Sequence, residues 1–179
     1  MRNELVLDLE TKKSFDEVGG RSNYHLLEVS LVGTYDYQKG DFSCFNEDEI
    51  TVLINRLKAV DRVVGFNIKS FDWRVLQPYT DYNLSEVKTI DIMDDAVCAL
   101  GQRVSLNNLA GATLGYKKSG HGLEAIKFFR EGRMDELKRY CLDDVRITRD
   151  LYEFGLKDGY ILATVPFFGN VVRIPVAWS

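Results

Sequence analysis

Histidine, cysteine and proline are scarce in this chain, and long apolar runs are missing. Its 179 residues include two histidines, three cysteines and three prolines. His121, in KKSGHGLE, reads as a helix-start residue rather than a ligand, and His25 has no partner visible in the sequence. Cys44, Cys98 and Cys141 show no metal-ligand spacing. Their odd number suits reduced thiols and points to a cytoplasmic setting. Cys98 and Cys141 fall in helical patterns and read as core residues. No apolar stretch approaches the roughly 18–20 residues that span a bilayer, so no membrane partner is expected. The start has no basic region followed by an apolar stretch, which argues against a signal peptide. Excess positive charge is also absent. The formal net charge of −4 argues against a broadly basic nucleic-acid binder. A whole-chain sum conceals locally compensated charge, however. Setting aside the four acids singled out below leaves 23 basic residues against 27 − 4 = 23 acidic ones.

What is present is ordinary for a globular domain: 45% hydrophobic and 28% charged residues, in a chain long enough for one substantial core. With no repeat and no linker, a single domain over 1–179 is expected, its core at about 3–157 and a terminal hairpin at about 158–179. Strands are predicted near Leu5–Leu9 and Leu26–Tyr35, with GDFSCF as a third. Asn46 and Glu49 form a capping box ahead of Ile50, Leu53, Ile54 and Leu57 at helical spacing. RVVGFN (62–67) reads as a strand buried on both faces, followed by a helical turn, and VKTIDI (87–92) as a fifth strand. The rest is mostly helical: Ser105 caps LNNLAGATL before Gly115, LEAIKFFREG follows, and a long pattern from Met134 to Leu156 ends at Gly159. Two strand-like runs flank Phe-Gly-Asn in the tail, a hairpin that either completes the fold or pairs with another subunit. The order describes an α/β domain with a mixed sheet.

The acids are where chemistry enters. In LVLDLET, Asp8 and Glu10 are two apart and share one face of a strand. Either both are solvated, or a cation sits between them. Asp72 follows strand 62–67 at a strand-to-helix turn, the kind of place where open α/β sheets bind ligands. Tyr140 and Asp144 are four apart on the last helix and share its face, whereas Asp143 is rotated by about 100°. Each feature alone suits an ordinary protein surface.

Together they form D-x-E-T (Asp8 to Thr11), N-x-x-x-F-D (Asn67 to Asp72) and Y-C-x-x-D-x-x-x-T (Tyr140 to Thr148). This series resembles the three exonuclease motifs of the DEDD 3′–5′ exonucleases. Within them it is similar to the tyrosine subclass (DEDDy), which includes the proofreading domains of family B DNA polymerases. It is most similar to compact members found alone or beside helicase-like domains. The histidine subclass places its histidine five residues before the last acid, where this chain has Arg139.

The resemblance implies an RNase H-like fold: a five-stranded mixed central sheet flanked by helices, here with a C-terminal β-hairpin. It implies a two-metal 3′–5′ exonuclease on single-stranded nucleic acid with a free 3′ end, DNA favoured, of a kind used in DNA repair. An RNA-trimming enzyme and a silent binding module remain alternatives, and protein partners are not legible. Two divalent ions about 3.5–4 Å apart activate water and stabilise the leaving oxygen in such hydrolysis. Mg²⁺ or Mn²⁺, hard ions preferring oxygen, would be held by Asp8, Glu10, Asp72 and Asp144. By resemblance Asp8 bridges both ions, Glu10 and Asp144 hold the ion that activates water, and Asp72 acts through an outer shell. Tyr140 orients the water, since a phenol with a pKa near 10 is a poor base. Thr11, Asn67 and Phe71 are candidate substrate contacts, as are Lys117 and Lys118 in their Gly-flanked loop. Phe66 and Trp73 could stack on bases, though core packing explains each, and Phe71 as well, more simply. Lys127, Arg130, Arg133, Lys138 and Arg139 form either a phosphate-facing patch or a solvated helix face.

Overall fold

The computed structural model describes residues 2–116, 122–165 and 169–178, with 122 and 123 by backbone alone. Lys117, Lys118 and His121 lie outside the described residues. The elements run β1 (Glu4–Thr11), β2 (Val29–Asp36), β3 (Asp41–Phe45), α1 (Ile50–Leu57), β4 (Arg62–Gly65), α2 (Asp72–Leu76), β5 (Thr89–Asp91), α3 (Ile92–Leu100), α4 (Leu106–Leu114), α5 (Gly122–Arg130), α6 (Met134–Asp158), β6 (Tyr160–Thr164) and β7 (Val171–Pro175).

Five strands form one sheet in the order β3-β2-β1-β4-β5. β1 pairs antiparallel with β2 and parallel with β4, so the sheet is mixed. This is the RNase H-like arrangement, and β6 and β7 add the terminal hairpin. Strand β1 lies at the centre and divides the core by parity. Leu5, Leu7 and Leu9 point to one layer, packing with Leu53, Ile54 and Leu57 of α1 and Val75 and Leu76 of α2. Val6 points to the other, with Val145, Leu151 and Tyr152 of α6. Truncating any of these buried leucines to alanine costs about 2–5 kcal/mol.

The boundaries differ from expectation where a local interaction overrides the pattern. β2 begins at Val29 rather than near Leu26, because Tyr24–Leu26 forms a 3₁₀ turn and Glu28 adopts φ 55°. β5 is only three residues long, because the Asp91 side chain accepts the Met93 N–H at 3.1 Å and so caps α3. Cys98 is exposed, not core: α3 buries Ile92, Met93 and Ala96, and Cys98 falls on the opposite face. Cys141 is buried as expected.

The terminal hairpin is stitched into the domain. Ile161, Ala163, Ile174 and Trp178 belong to the α6-side core. Residues on α4 treat β6 as a neighbouring strand would. Asn108 donates to the Thr164 carbonyl (2.8 Å) and accepts its N–H (2.9 Å); Thr113 does the same for Leu162 (3.0 and 2.8 Å). These side chains cover an edge that would otherwise template aggregation. Trp178 lies over Gly155 so closely that a Cβ there would sit 2.3 Å from the indole. Its Nε1 donates to Asp95 at 2.7 Å, and its carbonyl accepts from Arg62 at 2.9 Å.

Candidate active site

The even-numbered face of β1 carries Glu4, Val6, Asp8 and Glu10 toward α6. Directly across from Asp8 on β2 stands Gly33. A Cβ on Gly33 would lie 2.8 Å from the Cys141 sulfur and 3.1 Å from Val145, so only glycine lets α6 come this close to the sheet. That approach delivers Tyr140 and Asp144 to Asp8 and Glu10. The Cys141 Sγ lies 3.6 Å from the Asp8 carbonyl and 3.9 Å from its Oδ2. Ligand atoms of Asp8, Glu10 and Cys141 all fall within 4.8 Å of one another.

Electrostatics mark the same convergence. The Tyr140 phenol is held well above its ordinary pKa, first by burial and then by the negative charges of Asp144, Glu10, Asp8 and Glu124. It therefore remains an O–H donor at neutral pH. Asp72 reaches the site from a third direction. Strands β1 and β4 are parallel, so both end on one side of the sheet, and α2 starts just beyond β4. β1 pairs with β4 only through Glu4, Leu5 and Val6. Farther along, the Leu9 N–H, between Asp8 and Glu10, donates to the Asp72 carboxylate. Asp72 is 3% exposed. Burial raises its pKa well above the usual carboxylate range and the nearby Asp91 adds to this, while the N–H groups of Asp72 itself and Leu9 pull it back.

Two residues that shape the candidate site escape the sequence reading. Cys141 is core and site at once, and its position three residues before Asp144, on the same helical face, was the available signal. Asp91 organises the loop that carries Asp72. Its carboxylate accepts the N–H groups of Asn67 (2.7 Å), Lys69 (3.1 Å) and Met93 (3.1 Å). Asn67 can turn the chain there because it adopts φ 62°, which asparagine tolerates better than most residues. Only the spatial meeting of β5 with the 67–69 turn reveals this role.

Thr11 is buried, and its hydroxyl donates to the Lys13 carbonyl at 2.9 Å. Asn67 Oδ1 accepts from Arg103. Phe71 is half-buried, edge-on to Phe15 and Tyr24. Thr11, Phe15 and Phe71 line a 270 Å³ cavity with Lys13, Leu27 and Ile126. Phe66 and Trp73 take the core option, Trp73 with its Nε1 donating to Thr89 at 3.2 Å. The basic residues of α5 and its approach to α6 are largely ion-paired: Arg133 with Glu131 and Glu136, Arg130 with Glu17, Lys127 with Glu131. They form a solvated face.

The Asp8 and Glu10 carboxylates, on one strand face, are donors of the kind hard divalent ions prefer, and with the Cys141 sulfur beside them they lie close enough together to hold a metal ion. No helix among the described residues is long and apolar enough to cross a membrane.

Similarity to known proteins agrees with this fold. The chain resembles in structure a family B DNA polymerase from the hyperthermophilic archaeon Pyrobaculum calidifontis, with a TM-score of 0.66 and 20% sequence identity. The likeness covers 86% of this chain and 24% of the polymerase. No curated protein matches the chain. A family model described as the RNase_H superfamily matches residues 7–154, nearly the whole of the five-stranded sheet and both helical layers. The chain belongs to the RNase_H superfamily.

Proposed function

We propose that this protein is a metal-dependent 3′–5′ exonuclease acting on single-stranded nucleic acid, with DNA as the favoured substrate. The observation that carries the reading is the meeting of Asp8 and Glu10 from β1, Tyr140 and Asp144 from α6 and Asp72 from the start of α2. Asp8, Glu10 and Asp144 would hold two Mg²⁺ or Mn²⁺ ions, with Asp72 behind them. Such ions supply an activated water and charge stabilisation at the leaving 3′ oxygen.

The chain's own groups do the positioning. Tyr140, kept protonated by burial and its acidic neighbours, can donate one hydrogen bond and accept another, so it orients the attacking water instead of deprotonating it. Asp72, anchored on the Leu9 N–H, fixes β1 between its two acids. The 270 Å³ cavity lined by Thr11, Phe15 and Phe71 suits the terminal nucleotide, with Phe71 offering an aromatic edge and Thr11 its hydroxyl lone pairs. Asn67 orients the loop, and Lys117 and Lys118 are the proposed phosphate contacts.

The test is degradation of 5′-labelled single-stranded DNA and RNA with Mg²⁺ or Mn²⁺. Stepwise loss from the 3′ end is expected, faster on DNA. Preference for RNA would make this an RNA-trimming enzyme. Tight binding without cleavage would make it a silent module.

A further inference from the structure

A larger cavity lies beyond the candidate site. It measures 570 Å³, within the range of ligand pockets, and opens between the Tyr24 turn, α2 and the segment leading to β5. Tyr24 and Pro78 supply its flat apolar walls, over an edge of the buried Trp73, and His25, Lys69 and Arg74 its basic groups. Among the described residues that line it, none is acidic. Lys69 is shared with Asp94 at 2.9 Å. The Arg74 guanidinium lies 3.9 Å over the Tyr24 ring, a flat shelf at the surface.

Two features indicate what fills it. The first is proximity: the rings of Phe15 and Phe71, which line the smaller cavity, both stand edge-on to Tyr24, which lines the larger one. Their centroids are 5.1 Å (Phe15–Tyr24), 6.1 Å (Tyr24–Phe71) and 6.0 Å (Phe15–Phe71) apart. One aromatic trio thus stands between the two cavities and contributes to a wall of each. The second is complementarity: a basic, aromatic-walled groove one ring cluster away from the smaller cavity matches phosphate and base on the same ligand. Although the chain as a whole is acidic, this wall is not.

Building on the exonuclease reading, we infer that the Tyr24–Trp73–Arg74 cavity binds the single strand upstream of the terminal nucleotide, stacking a base on the Arg74–Tyr24 shelf and meeting a backbone phosphate with Arg74 and His25. Substrate length is then read here, apart from the acids. Very short strands would fill only the inner cavity, whereas longer strands would engage both.

The experiment uses the full chain with 5′-fluorescein oligothymidylates of three and nine nucleotides. Binding is read by anisotropy with Ca²⁺ in place of Mg²⁺, and cleavage is read separately with Mg²⁺. The nine-mer is expected to bind the unaltered protein at least about tenfold more tightly than the three-mer. Arg74→Glu should weaken the nine-mer by about fivefold or more and the three-mer by less than about twofold. Arg74→Lys should recover part of the loss. His25→Glu, on a different element, gives the same reading should Arg74→Glu fail to fold. Nine-mer binding that is indifferent to these changes overturns the inference, and if the three-mer is still degraded, the exonuclease reading stands without it. If neither length is degraded while nine-mer binding stays Arg74-dependent, the exonuclease reading falls and this binding site remains.

Discussion

One face of one strand carries two opposite treatments of buried acid. At the start of β1, Glu4 is 6% exposed and paired: the Arg62 guanidinium sits 3.0 Å away as an ion pair and the Tyr152 hydroxyl donates at 2.9 Å. Two turns of the pleat later, Asp8 and Glu10 crowd together with Cys141, and Asp144 stands close enough to help raise the Tyr140 pKa. Both ends press against the same helix, α6. The Glu4 end locks the helix to the strand, whereas the Asp8 end gathers negative charge at the cost of stability. A folded protein keeps such a concentration of like charge where function rewards it.

That contrast is open to direct attack. The largest effect on stability should come from Arg62→Ala, which leaves the buried Glu4 carboxylate only the Tyr152 hydroxyl and the Arg2 guanidinium at 4.0 Å. Chemical denaturation should show a loss of about 3–5 kcal/mol, with cleavage per folded molecule retained. Next, Gly33→Ala should cost about 1–3 kcal/mol, because its methyl group meets Cys141 and Val145, and should lower activity as α6 is pushed away from Asp8. Combining it with Cys141→Ala should recover part of both losses. A double mutant no better than the single would deny that Gly33 sets the helix approach. Asp72→Asn should do the reverse of Arg62→Ala, raising the stability of the metal-free protein by about 1 kcal/mol while lowering activity. Thermal melts and cleavage rates on one preparation would show the trade.

A further effect is a pH dependence at the Glu4 end. Burial first, then the hydrogen bond to Glu4, pushes the Tyr152 pKa up to about 12 from 10. A raised pKa stabilises the fold below the unfolded value, so this contribution is complete below pH 10 and is lost as pH rises through about 12. Tyr152→Phe should remove the alkaline step and cost about 1–2 kcal/mol at neutral pH. An unchanged alkaline limb in the variant would place that titration elsewhere.

The sequence disclosed what is local and periodic. Ser105 and Gly115 bracket α4 as expected, Asn46 and Glu49 form their capping box, and α6 starts at Met134 and gives way to Gly159. Asp8 and Glu10 share a face by strand period alone, and Tyr140 and Asp144 by helical period alone. What stayed hidden depends on contacts between distant segments. Nothing near Gly33 announces that α6 will rest on it, and nothing near Asp91 announces three N–H groups arriving from other turns. Cys141 could have been placed beside Asp144 by spacing, but not beside Asp8. The positive φ of Glu28 shortened β2 without a glycine to signal it.

On the proposed function, the acids gathered between β1 and α6 hold divalent metal for cleavage at a 3′ end. Its most direct test is degradation of 5′-labelled single-stranded DNA by the unaltered chain and by Asp8→Ala, each with Mg²⁺, Mn²⁺ or EDTA. The account predicts stepwise 3′ shortening that requires metal and falls by at least about a thousandfold in Asp8→Ala, with its melting curve preserved. Shortening that persists in Asp8→Ala, or that proceeds in EDTA, would contradict it.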